Sequence, residues 1–96
     1  MKVYQINYDL RKQRNYDELY KKIQSYPNWC HPLESCWLIA SEKTAPQIAE
    51  ELFKVMDSDD GLLVTRLLNE ASWYNLDSEG MKDVTNWLQE NLSKAS

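Results

Sequence analysis

A length of 96 residues bounds the chain to one domain, which buries roughly 60–65% of its unfolded surface. With 43% apolar and 27% charged residues the composition is that of an ordinary globule, and no apolar run approaches the ~20 residues of a membrane-spanning helix. The net charge of −4 is uneven, six Lys/Arg against three acids in residues 1–30 and five against twelve in 31–96. That balance makes a poor general binder of phosphate backbones, because each phosphate contact needs a local cation.

The first strand is expected over Val3-Tyr4-Gln5-Ile6-Asn7-Tyr8-Asp9-Leu10, where Tyr4, Ile6 and Tyr8 alternate with Val3, Gln5 and Asn7. Asp9 then lies at the lip of the sheet, where open α/β sheets tend to place their chemistry. A strand starting this near Met1 leaves no room for a signal peptide, and two cysteines are too few for a disulfide scaffold. A cytoplasmic, reduced protein without a membrane span is the expectation.

Arg11, Lys12 and Arg14 follow, and with Lys21 and Lys22 they offer the one local basic patch. As bare sequence these are solvated loop and helix-face charges. The spacing predicts a helix over 15–26, with Asn15 and Glu18 in the form of a capping box. Tyr16, Leu19, Tyr20, Ile23 and Tyr26 form its apolar stripe, and Pro27 ends it. Two strands are expected near 29–33 and 35–41, or one long bent strand, with Pro32 at an edge or at the break.

Thr44-Ala45-Pro46-Gln47 predicts a second capped helix over 44–57, burying Ile48, Leu52, Val55 and Met56 with Phe53 beside them. Asp57-Ser58-Asp59-Asp60-Gly61 is a turn, and Leu62 to Leu68 a strand placed with the first in the sheet interior. Residues 69–77 are irregular or a short edge strand. Met81, Val84, Trp87, Leu88 and Leu92 predict a terminal helix over 79–92. The expected fold is α+β: a ferredoxin-like β-α-β-β-α-β core over 2–68 with a four-stranded antiparallel sheet, and a C-terminal extension over 69–96.

With Tyr8-Asp9-Leu10 at the strand end and Ser35 two residues before Trp37, the chain resembles the CRISPR-associated protein 2 superfamily, including virulence-associated protein D-like relatives. Arg11 and Arg14 match loosely the basic residues that family carries beyond its first strand. The chain differs from the family in its acidic second part and its terminal helix. The resemblance implies a small ferredoxin-like homodimer in which the Asp9 side chains face one another across the dimer axis. There they would hold a divalent metal, Mg²⁺ or Mn²⁺, for a metal-dependent endonuclease acting on RNA or DNA. Tyr8, Arg11, Lys12, Arg14, Ser35 and Trp37 would be its nucleic-acid contacts. The alternative is a non-catalytic dimeric scaffold or protein-interaction module on the same fold.

Each candidate has a plainer explanation. Asp9 can cap its own turn. Cys30, His31 and Cys36 are one ligand short of a structural zinc site, and odd spacing turns His31 and Cys36 to opposite faces. Asp57, Asp59 and Asp60 lack the spacing of a calcium loop. Trp29, Trp37, Trp73 and Tyr74 could stack on bases, but core and dimer packing explains most of them. A sheet with helices on one face leaves the other bare, so Trp29, Trp37 and Trp73 are expected to cover it in a homodimer, unless the terminal helix with Trp87 does so within one chain.

Overall fold

The alternating segment at the start does form a strand, and it runs through the sheet interior. The computed structural model describes residues 1–11, 16–68, 70–77 and 83–92. Its elements are β1 (Lys2–Asp9), α1 (Asp17–Gln24), β2 (Asn28–Leu33), β3 (Cys36–Ser41), α2 (Ala45–Phe53), β4 (Gly61–Leu67) and α3 (Val84–Leu92). The four strands make one antiparallel sheet in the order β2-β3-β1-β4. This is the ferredoxin-like arrangement with an extra C-terminal helix.

One expectation about the sheet fails. The last strand is not interior: β3 lies beside β1, and β4 is an edge. Burial follows that order, since every residue of β3 is buried and none of β4 is. Pro32 falls in β2, the opposite edge, at an irregularity between Cys30 and Leu33 where its missing N–H breaks no regular ladder.

One sheet face carries α1 and α2. Leu19, Ile23, Tyr26, Ile48 and Leu52 pack there against Tyr4, Ile6, Tyr8, Trp37 and Ile39, with Leu62 and Val64 of β4 at the margin. α2 opens with the expected capping box: Thr44 Oγ1 accepts the Gln47 N–H and Gln47 Oε1 accepts the Thr44 N–H. The helix stops at Phe53, so Val55 and Met56 pack from a turn beyond it. α1 is shorter than 15–26, and the Asn15 half of its capping box lies outside the described residues.

The second face is covered by the same chain. Val84, Leu88 and Leu92 of α3 pack on Val3, Cys30, Leu38 and Ala40, with Trp73, Leu76 and Trp87 beside them. Polar contacts fix α3 in place: Trp87 Nε1 donates to Asn28 Oδ1 at 2.8 Å, and Asn28 Nδ2 donates to Asn91 Oδ1 at 2.8 Å. Residues 70–77 are irregular, and Met81 and the start of the expected helix at 79 lie outside the described residues. Of the Trp residues expected to cover a dimer face, Trp73 packs within this second core. Trp37 is corrected outright, since it is 1% exposed under the α1 side of the sheet.

Candidate acidic lip at the end of β1 and β4

Antiparallel pairing of β1 with β4 sets Asp9 opposite Gly61, so the end of the first strand meets the turn that precedes the last. The turn is built around Asp60. Its Oδ2 accepts the Asp57 N–H at 2.8 Å and its Oδ1 accepts the Arg11 N–H at 3.0 Å. Those two bonds let a 9% exposed carboxylate sit at the sheet end. Three carboxylates, from Asp57, Asp59 and Asp60, each offer an oxygen within 4.8 Å of the others.

Arg11 ties Asp9 to this turn. Its Nε lies 3.5 Å from Asp9 Oδ2 and its Nη1 donates to the Asp59 carbonyl at 3.2 Å. The guanidinium reaches across Gly61, where a Cβ would stand 3.0 Å from Arg11 Nη2, the movable end of an exposed side chain. Both side chains of the Arg11–Asp9 pair are more than half exposed, which keeps its contribution to stability small. A polar cleft of about 160 Å³, lined by Glu18, Asp57 and Asp60, opens beside the turn.

An ion with ligand distances of about 2.1–2.4 Å spans oxygens up to ~4.2–4.8 Å apart, so the three carboxylates suit a divalent cation. Asp9 is not one of the three; it pairs with Arg11. Nothing in the residue pattern signals that the turn and Asp9 meet, apart from the turn standing directly before a strand.

Of the expected nucleic-acid contacts, Tyr8, Ser35 and Trp37 lie together, with Tyr8 and Trp37 turned inward. Tyr8 is buried on the α1 side, donating to the Glu34 carbonyl at 3.1 Å and accepting from Trp37 Nε1 at 3.1 Å. Burial pushes the Tyr8 phenol above its ordinary range, and hydrogen bonding with Tyr20 adds to the rise. Trp37 has its ring stacked on His31 at 3.8 Å with Tyr20 edge-on, so no face is open to a base. Ser35 is exposed in the β2–β3 turn, where its carbonyl accepts the Tyr8 N–H at 3.4 Å. Lys12 and Arg14 lie outside the described residues, and Arg11 serves the lip.

Cys30 and Cys36 are free, buried thiols on the α3 side, while His31 stacks on the opposite side, as the odd spacing requires. Burial, then the nearby Cys36, pushes the Cys30 thiol up to about 11. Burial also raises Cys36.

No family model, no curated protein and no solved structure matches the chain. Among the described residues, no helix is long and apolar enough to cross a membrane.

Proposed function

We propose that the acidic lip binds a divalent cation, Mg²⁺ or Mn²⁺, and that the protein meets RNA or DNA phosphates through that ion, with cleavage as its strongest form. The observation that carries this reading is the convergence of the Asp57, Asp59 and Asp60 carboxylates beside Asp9 and Arg11. A bound cation turns an acid-lined lip into a phosphate partner and can polarise a phosphodiester or a bound water. Mg²⁺ suits this role because it keeps several waters and needs few protein carboxylates. The likeness of Tyr8-Asp9-Leu10 to CRISPR-associated protein 2 relatives points the same way.

The test is a thermal melt with increasing Mg²⁺ or Mn²⁺, run beside RNA and DNA cleavage assays on wild type, Asp9→Asn and Asp59→Asn. A ligand of the folded state alone adds about 2.7 kcal/mol at a hundred times its Kd, a rise of many degrees for a domain this small. The wild-type melt should climb with the ion and Asp59→Asn should respond less. A flat melt at millimolar ion refutes the reading. Cleavage that survives both substitutions removes the lip as its site.

A second reading, a non-catalytic dimeric scaffold or protein-interaction module in a reducing cytoplasm, is supported by a different observation. Leu63, within the edge strand β4, and Leu68, just beyond its end, are 63% and 62% exposed. An edge strand that shows leucine to solvent is a surface suited to pairing.

A further inference from the structure

We propose that β4 is a self-pairing edge, on which a second copy of this chain docks antiparallel about a two-fold axis at Leu63. The inference deepens the scaffold reading and stands apart from the ion reading.

The two edges of the sheet are treated differently. β2 carries Pro32 and an irregular register, and its Asn28 is engaged by α3. These are devices that blunt an edge. β4 has none of them. Gly61-Leu62-Leu63-Val64-Thr65-Arg66-Leu67 holds no proline and a single charge, and among the described residues no strand lies on its outer side. Leu62 and Val64 turn toward the α1–α2 core while Leu67 joins the α3 core. Leu63, on the α3 side, is left in solvent. Unpaired N–H and C=O groups along such a strand are a template for another strand.

Charge favours a second copy as the occupant. Acids gather at the start of β4 (Asp57, Asp59, Asp60), and Arg66 stands near its end. Antiparallel self-pairing therefore carries each Arg66 to the acidic turn of the other copy, whereas a parallel pair would set acid against acid. The two-fold axis must pair residues on the same sheet face. Centring it on Leu63 pairs Leu63 with its own copy, Leu62 with Val64, Gly61 with Thr65, and Arg66 with Asp60. This register buries the exposed leucine against itself and places the only cation of the strand opposite the acids. The interface is isologous and closed, and the product is a continuous eight-stranded sheet.

The test combines solution mass with a register probe. Wild type should sediment at twice the 11.4 kDa chain mass at tens of micromolar. Leu63→Lys should raise the dimer dissociation constant on the order of tenfold or more, with unchanged circular dichroism because the side chain is already exposed. Leu63→Cys should cross-link under mild oxidant. Directly opposed residues have Cα atoms about 4.5–5.5 Å apart, within the reach of a disulfide. Thr65→Cys should not, since its counterpart lies about four residues away along the ladder, or ~13 Å. A dimer indifferent to Leu63→Lys, or cross-linked equally by Thr65→Cys, overturns the edge while leaving the scaffold reading standing. A monomer at every concentration overturns the dimer in both.

Discussion

Trp37 is fully engaged inside the fold. It donates Nε1–H to Tyr8, stacks on His31 and meets Tyr20 edge-on. Trp37→Phe keeps most of the ring area but removes the donor. It should cost about 1–3 kcal/mol in urea unfolding and should leave any nucleic-acid affinity untouched. Its position two residues after Ser35 was legible in the sequence, but the side it faces was not. Within a strand buried on both sides, alternation no longer separates core from surface. The thiols give a second check at this scale. Cys30 has a folded value of about 11 against an ordinary 9.0, so its contribution to stability is intact below pH 9 and lost as pH rises toward 11. Alkylation of the folded protein should accordingly stay slow at pH 8, and stability should fall across that alkaline window more in wild type than in Cys30→Ala.

At the scale of elements, the helices were legible and the sheet positions were not. Thr44, Pro46 and Gln47 announced α2 because capping chemistry is local, and the stripe Ile48 and Leu52 lies where the spacing put it. Leu52→Ala should cost about 2–5 kcal/mol, since the side chain is wholly buried between helix and sheet. The apolar run Leu62 to Leu68 showed a strand but not its neighbours, and an edge carrying exposed leucines has the same sequence pattern as an interior strand. The terminal helix was also legible, yet its placement depends on contacts sixty residues away: Asn28 accepts from Trp87 and donates to Asn91. Asn28→Ala strands the half-buried Trp87 N–H and the Asn91 Oδ1 that accepts from Asn28. It should loosen α3 by about 1–2 kcal/mol, seen as faster amide exchange over 84–92 while α1 and α2 keep their protection. At the other end, hydrogen bonds from Lys43 and then Tyr26 hold the Glu51 carboxyl below its ordinary range. That small stabilisation is present at neutral pH and lost as pH falls through the depressed value.

For the whole molecule, topology decides which acids meet. Asp9 at a strand end was legible, whereas its neighbours at 57–60 are some fifty residues away and join it only because β1 and β4 pair. The same topology fixes how two lips sit in a dimer joined through β4. The two Asp9 residues are then three strand spacings apart, about 14 Å, and offset by four residues along the ladder, about another 13 Å. Their separation of roughly 20 Å is far beyond what one ion with ligand distances near 2.1 Å can bridge. In such a dimer each chain would carry its own ion site, formed by its own turn, rather than half of a site shared across the axis. Calorimetric titration with Mn²⁺ should give about one ion per chain, and the same number in the Leu63→Lys monomer. A stoichiometry of about one ion per two chains, unchanged in Leu63→Lys, would restore the shared Asp9 centre and refute the β4 arrangement. One ion per chain that disappears with Asp59→Asn but survives Asp9→Asn would place the ion on the turn alone, with Asp9 serving to hold Arg11.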